Sequence, residues 1–218
     1  MKPYQAVCFD FDYTLGDSTD SIVAGFQFAF QEMGWPIPDR ETVRGTIGYL
    51  LEDAYTMLTG DNDPEHRSQF RPLFLSVAKE RQRRETVLFP GAVELLRGLK
   101  DQGIHCAIVS TKRGDTISII MDRWGVRDTL EVITGSEHVH RPKPDPQGLL
   151  DTMEQLGVRP EETLFCGDTV LDAGAAQNAG CDFCAVLNGT TPAEDFASYS
   201  PVHIAPDLYD LERWLELE

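Results

Sequence analysis

The chain alternates between short apolar segments and longer segments with the spacing of helices. The short runs are rich in β-branched or aromatic residues, as in buried strands, and they cover residues 6–11, 106–109, 131–134, 163–166 and 183–187. Most of the segments between them place apolar residues on one helical face and end at a glycine, as Ile117, Ile120 and Met121 do before Gly125. This alternation predicts a parallel sheet in an α/β domain.

Between the first and second predicted strands, the pattern is helical throughout. Three stretches there each have one apolar face, with Ile22, Phe26 and Phe30 on the first, Ile47, Leu51 and Leu58 on the second, and Phe70, Phe74 and Val77 on the third. We therefore predict an inserted all-helical cap domain over residues 16–85, and a core built from residues 1–15 and 86–218. The alternative is that these helices pack tightly on the sheet as additional core helices.

Composition limits the kinds of partner. The 218 residues include 36 acidic and 19 basic ones, so the formal net charge is -17 at pH 7. Repulsion from this charge disfavours nucleic acid or an anionic membrane as a partner, but not a small anion bound with a divalent metal. The five cysteines lie mostly in apolar runs, which predicts reduced thiols and a cytoplasmic protein. We expect neither a signal peptide nor a membrane span, and the patterns predict no oligomeric state.

Polar side chains that can carry chemistry follow the ends of the predicted strands. Asp10 and Asp12 follow the first strand, Ser110, Thr111 and Lys112 follow the second, Lys143 lies in a proline-rich loop, and Asp168 and Asp172 follow the strand at residues 163–166. In an open parallel sheet, the loops beyond the carboxyl ends of the strands form the ligand crevice. The sequence therefore predicts one cluster of acid, hydroxyl and ammonium groups.

Such a cluster suits phosphoryl transfer, in which a protein mainly positions a nucleophile and neutralises charge. Asp10 is the candidate nucleophile, and Asp12 is the candidate general acid and base. Because a carboxylate repels a phosphate, a hard divalent cation is required, and oxygen ligands from Asp10 and Asp168 suit Mg²⁺. Lys143 supplies a fixed positive charge. The loop of Ser110 and Thr111 is expected to bind the substrate, with Ser110 donating to a phosphoryl oxygen.

In this order, these motifs resemble the four signature motifs of the haloacid dehalogenase-like hydrolase superfamily, and the helical insertion resembles its small type-1 cap. The resemblance implies a Rossmann-like, doubly wound core and a cap that closes over a small phosphorylated metabolite. It also implies Mg²⁺ held by Asp10, Asp168 and the main-chain carbonyl of Asp12. Tyr13 departs from the glycine that is common at its position.

Several activities are compatible with this resemblance. An acid at position 12 favours phosphate esters over carbon–halogen cleavage, because an alkoxide needs a proton on leaving and a halide does not. Ile47-Gly48 and Ser110-Thr111-Lys112 are most similar to phosphoglycolate phosphatases and related pyrophosphatases. A β-phosphoglucomutase-like phosphotransferase is the alternative, although its usual Glu-Asp pair is absent from Gly167-Asp168. A non-enzymatic phospho-acceptor module is another, but it would need neither Asp12 nor a cap.

Other candidate groups have simpler explanations. Asp172 could bind the metal through water, hold Lys143 or act as an ordinary acid at a helix N-terminus. The Cys181 and Cys184 pair has the spacing of redox or zinc sites, but we expect both to be small buried hydrophobes. We expect His138 and His140 to lie in a solvated loop.

Overall fold

The computed structural model describes residues 4–217 and divides the chain into two compact units. Ser18–Val87 forms one unit, and the rest of the described chain forms the other. The first unit starts and ends two residues later than the predicted insertion at 16–85. No helix in residues 4–217 is long and apolar enough to span a membrane.

The larger unit is built on a parallel sheet. The strands are β1 (Ala6–Phe9), β2 (Gly16–Asp17), β3 (Val87–Leu88), β4 (His105–Val109), β5 (Val132–Thr134), β6 (Thr163–Gly167), β7 (Asp182–Val186) and β8 (His203–Ala205). Six of them pair in parallel in the order β5-β4-β1-β6-β7-β8, while β2 and β3 form a separate two-stranded sheet. The predicted parallel α/β sheet is confirmed. The sequence analysis missed β8, because this three-residue edge strand exposes Ile204 and has no apolar run.

The helical unit contains α1 (Thr19–Met33), α2 (Arg40–Arg44), α3 (Leu51–Thr59) and α4 (Pro64–Glu85). Its interior is aromatic, with Phe70 between Tyr55 and Phe26 at ring-centroid distances of 5.0 and 5.2 Å. Helices α1 and α4 approach closely at Gly25, where a Cβ atom would lie 2.7 Å from the Phe74 ring. The spacing of Ile47, Leu51 and Leu58 predicted one helix, but Ile47 lies before the start of α3. Gly48 adopts a φ of 104°, which is not helical, so the helix cannot extend back to Ile47.

Helices cover both faces of the large sheet. They are α5 (Ala92–Asp101), α6 (Gly114–Arg123), α7 (Gln147–Leu156), α8 (Val170–Ala179) and α9 (Leu208–Trp214). Strand residues alternate between two buried apolar layers, with Val7 and Phe9 in one and Ala6 and Cys8 in the other. Buried residues of α5, α6 and α9 belong to the first layer, and those of α7 and α8 to the second. This confirms the doubly wound, Rossmann-like architecture.

Candidate active site

The carboxyl ends of three adjacent strands bring the predicted groups together. Strand β1 lies between β4 and β6, and the backbone N–H of Asp10 donates to the Cys166 carbonyl at 2.9 Å. Beyond β4, the backbone N–H of Ser110 donates to the Thr134 carbonyl at 2.9 Å. These bonds continue the pairing of the sheet, so the sheet fixes the backbone positions at which the two loops begin.

A buried acidic cluster lies at this edge. One oxygen from each of Asp10, Asp168 and Asp172 can be chosen so that all three lie within 4.8 Å of one another. Lys143 neutralises part of the charge: its Nζ lies 3.0 Å from Asp10 Oδ1 and pairs with Asp172 Oδ1. The Lys143 side chain is only 6% exposed, so this ammonium is held among carboxylates rather than in water. The structure thus places Lys143 where the sequence predicted a fixed positive charge.

Burial and crowding set the ionisation of these groups. Desolvation raises the pKa of Asp10 to about 6, although the neighbouring Lys143 ammonium acts in the opposite direction. Desolvation, followed by repulsion from Asp172 and Asp10, raises the pKa of Asp168 well above its usual value. Desolvation alone would lower the pKa of Lys143, but attraction to Asp10 and Asp172 outweighs it and raises that pKa. A cation among these oxygens would favour the ionised form of each carboxyl.

The acidic cluster fits Mg²⁺ by the chemistry of its donors. All three groups are carboxylates, and hard divalent cations prefer oxygen ligands. Apart from its 3.0 Å ion pair with Lys143, the buried Asp10 Oδ1 has no hydrogen-bond partner within residues 4–217, so it has capacity left for a ligand. Asp12 does not join this cluster through its side chain, which pairs with Lys112. The predicted metal contact of Asp12 through its main-chain carbonyl stays a prediction.

Local contacts hold the two acids of β6 and α8 in place. The Thr14 hydroxyl donates to Asp168 Oδ1 at 3.2 Å. At Gly189, a Cβ atom would lie 2.1 Å from Asp168 Oδ2, so only glycine leaves room for this carboxylate. Asp172 Oδ2 accepts from the backbone N–H of Thr169 at 3.0 Å, and the Thr169 hydroxyl oxygen accepts from the backbone N–H of Asp172 at 3.3 Å. These two bonds form a capping box at the start of α8. Asp172 therefore combines two of the roles considered for it: it is an acid at a helix N-terminus, and it also holds Lys143.

Asp12 and Lys112 form a second buried ion pair. Lys112 Nζ donates to Asp12 Oδ2 at 2.8 Å and lies 5.8 Å from the centroid of the Phe11 ring. The other oxygen, Asp12 Oδ1, is buried and has no hydrogen-bond partner in the described structure. The Ser110 hydroxyl accepts from the backbone N–H of Lys112 at 3.2 Å, and the half-buried Thr111 lies between these two residues.

Tyr13 stands at a position where glycine is common, and its backbone conformation shows why glycine suits that position. Tyr13 has a φ of 61°, in the left-handed region that glycine adopts without strain. Its buried side chain packs in the core, and burial of a tyrosine offsets a backbone cost of about 1–3 kcal/mol.

Sequence reasoning missed the residues that position the predicted ones. Thr14, Thr169 and Gly189 contact or make room for the acids, but the sequence analysis gave them no such role, although Thr14 lies at a fixed spacing from Asp10 and Asp12 in the first motif. Lys112 had a signal, because it follows Ser110 and Thr111 at a strand end, but its pairing with Asp12 depends on the fold. The five cysteines are free thiols, so Cys181 and Cys184 form no disulfide.

Known proteins match this chain over most of its length. The family model for haloacid dehalogenase-like hydrolases matches residues 7–186. A phosphoglycolate phosphatase of Thiobacillus denitrificans is 32% identical over 188 residues, covering 84% of this chain and 83% of the relative. A phosphoglycolate phosphatase of Pseudomonas putida is 30% identical over 208 residues, covering 93% of this chain and 76% of the relative.

Solved structures share the fold over nearly the whole chain. A haloacid dehalogenase-like hydrolase from Bacteroides fragilis superposes with a TM-score of 0.92 at 36% identity, covering 95% of this chain and 99% of the other. A haloacid dehalogenase-like family hydrolase from Streptococcus pneumoniae gives a TM-score of 0.86 at 26% identity, covering 98% of this chain and 99% of the other.

Proposed function

Because the chain belongs to the haloacid dehalogenase-like hydrolase family, we propose that it hydrolyses a small phosphoglycolate-like phosphomonoester through a phosphorylated Asp10. The family and the phosphatase relatives make it a phosphoric monoester hydrolase, which disfavours the phospho-acceptor module. One observation carries the finer proposal. The buried carboxylates of Asp10, Asp168 and Asp172 cluster at the end of a parallel sheet, and the Lys143 ammonium pairs with two of them, Asp10 and Asp172.

In the first proposed half-reaction, a carboxylate oxygen of Asp10 attacks phosphorus. In this proposal Asp12 starts protonated on Oδ1, the oxygen that Lys112 does not bind. The bond from phosphorus to the ester oxygen breaks, and the leaving oxygen takes this proton. Lys143 stabilises the charge on the phosphoryl oxygens, and its contact with Asp172 fixes its position. Ser110 donates to a phosphoryl oxygen from the neighbouring loop.

In the second proposed half-reaction, water attacks the phosphorus of the aspartyl-phosphate. Asp12, now ionised, accepts the proton of this water, and the bond from phosphorus to Asp10 breaks to release inorganic phosphate. Asp12 therefore serves both steps and returns to its starting state. Lys112, 2.8 Å from Asp12 Oδ2, orients the carboxylate for both transfers.

The metal requirement belongs to the same proposal. Asp10 and Asp168 would hold Mg²⁺, with the Asp12 carbonyl as the further ligand that the family resemblance implies, and Asp172 belongs to the same acidic cluster. When bound, Mg²⁺ reduces the repulsion between the Asp10 carboxylate and the substrate phosphate. The role of the inserted helices as a cap stays a prediction.

The test is to trap the phosphorylated aspartate. Purified protein is mixed with Mg²⁺ and ³²P-labelled phosphoglycolate, quenched in acid within one turnover and digested for peptide mapping. We expect label on the peptide that contains Asp10, released by hydroxylamine as an acyl phosphate requires. Asp10→Asn should remove both label and turnover, whereas Asp101→Asn, at an exposed carboxylate, should remove neither. Steady turnover by native protein with no label on Asp10 contradicts the covalent mechanism.

A further inference from the structure

Glu137 caps helix α6 from a neighbouring loop. Its Oε2 accepts from the backbone N–H of Gly114 at 3.0 Å, and its Oε1 accepts from that of Asp115 at 3.2 Å. The N-cap residue itself, Arg113, makes no side-chain cap bond in the described structure. Desolvation acts to raise the pKa of Glu137, but bonds from backbone N–H groups outweigh it and lower that pKa. An ionised carboxylate from the loop after β5 therefore satisfies the first turn of α6.

The same loop also holds Lys112 through the backbone. The N–H of Ser136 donates to the Lys112 carbonyl at 3.1 Å. At Gly135, a Cβ atom would lie 2.1 Å from the Gly114 backbone nitrogen, so only glycine allows the two segments to pass this closely. The loop after β5 therefore binds the chain at Lys112 through Ser136, and two residues later through Glu137.

These contacts bear on the proposed proton transfer, because Lys112 orients Asp12. Lys112 Nζ donates to Asp12 Oδ2 at 2.8 Å, and the two side chains are only 5% and 12% exposed. A general acid must lie within hydrogen-bond reach of the oxygen that it protonates. A misplacement of about 1 Å can cost about 10²-fold in rate. Movement of the Lys112 backbone would misplace Asp12 in this way.

We propose that Glu137 is a positioning residue for the general acid Asp12, which it holds in place through the N-terminus of α6 and Lys112. This inference rests on the proposed function. The effect of Glu137 should fall on the step that needs a proton from Asp12, which is the expulsion of a poor leaving group such as ethoxide. p-Nitrophenolate departs without a proton, so p-nitrophenyl phosphate should depend less on Glu137.

The first test compares ethyl phosphate with p-nitrophenyl phosphate in Glu137→Ala, with Mg²⁺ present. We expect the ratio of their kcat/KM values, ethyl over p-nitrophenyl, to fall by roughly 10- to 100-fold. A displaced Ser110 or a partly unfolded population would lower both values alike and leave the ratio unchanged. Glu137→Gln keeps one carbonyl acceptor, so it should show a smaller fall, and it serves if the alanine variant does not fold. A native ratio in the folded variants overturns the inference.

The second test asks whether Glu137 acts through Asp12. Asp12→Asn alone should lower the same ratio, and adding Glu137→Ala should lower it by less than about 2-fold further, because both changes affect one proton transfer. A full additional fall would mean that Glu137 acts on another step, which contradicts the inference. If Asp12→Asn leaves the ratio unchanged, the general-acid step of the proposed function fails, and the inference fails with it.

Glu162 offers a matched control. Its side chain is 20% exposed, against 21% for Glu137, and it too accepts from a backbone N–H, that of Arg159 at 3.1 Å. It directly precedes β6, at the amino end of that strand and not at the carboxyl end where the site lies. Glu162→Ala should therefore keep the native ratio, whatever it costs in stability. A fall as large as that of Glu137→Ala would show that any lost cap changes the ratio, and would overturn the inference.

Discussion

The core edge and the helical unit place charged side chains in opposite ways. At the core edge, the Lys112 and Lys143 side chains are 5% and 6% exposed and pair with buried carboxylates. In the helical unit, Arg67 and Arg71 are 27% and 42% exposed and pair with Asp53 and Glu52 at the surface. The interior of the helical unit is instead filled by aromatic rings.

Under the proposed mechanism, this difference separates charged side chains that take part in the reaction from charged side chains that only keep the surface solvated. Desolvating an ion costs several kcal/mol, and a buried pair is often no more stabilising than apolar residues of the same volume. Stability therefore does not explain why the core edge buries its ions, whereas phosphoryl transfer in a dry site does. Exposed pairs contribute roughly 0–1 kcal/mol each, so those of the helical unit are close to neutral.

The strongest way to break the comparison is Lys143→Met. Removing this ammonium leaves Asp10 and Asp172 buried without their counter-ion, which should lower the free energy of unfolding by about 3–5 kcal/mol in metal-free protein. We also expect kcat/KM for p-nitrophenyl phosphate to fall by about 10³-fold or more, because the charge that is proposed to stabilise the phosphoryl oxygens is gone. Urea unfolding and steady-state kinetics measure the two effects. A folded variant with near-native kcat/KM would contradict the role of Lys143.

Phe70→Ala tests the helical unit in the same way. Phe70 is fully buried between Phe26 and Tyr55, so its truncation should cost about 3–5 kcal/mol through lost burial and a residual cavity. Phe28→Ala, at an exposed ring of the same unit, should stay within about 0.5 kcal/mol of native. Urea unfolding followed by circular dichroism measures both. Similar midpoints for the two variants would contradict an aromatic interior.

Sequence patterns predicted the sheet more completely than the candidate site. The parallel sheet and its two layers follow from β-branched runs whose faces are both buried, as in Val7 and Cys8, so the pattern was sufficient. The candidate site was predictable as far as its charged members, because strand-end loops meet in any open parallel sheet. Its supporting contacts were not, since the Asp12 to Lys112 pair joins residues 100 apart in the chain. Such pairings depend on loop conformations that no local pattern encodes.

Replacing a glycine by alanine can be compared at the core edge, at Gly189, and in the helical unit, at Gly25. Gly189→Ala places a Cβ 2.1 Å from Asp168 Oδ2, so the carboxylate must move, and the Mg²⁺ concentration for half-maximal activity should rise about 10–100-fold. Gly25→Ala places a Cβ 2.8 Å from Ala78, where an overpacking cost of about 1–3 kcal/mol exceeds the helical gain of up to about 1 kcal/mol. Metal titration should show the larger change in Gly189→Ala, and urea unfolding should show the larger change in Gly25→Ala. A loss of metal affinity in Gly25→Ala, or none in Gly189→Ala, would break the comparison.

The smallest effect is expected for Arg67→Met, the counterpart in the helical unit of Lys143→Met. Arg67 Nη2 lies 2.6 Å from Asp53 Oδ1, a distance as short as those in the core, yet its side chain remains 27% exposed. Water replaces the lost partner at such a site, so the free energy of unfolding should change by less than about 1 kcal/mol. Salt screening should shrink even this difference, and urea unfolding at low and high ionic strength measures it. A loss as large as that of Lys143→Met would show that distance, rather than burial, sets the cost of breaking an ion pair in this protein.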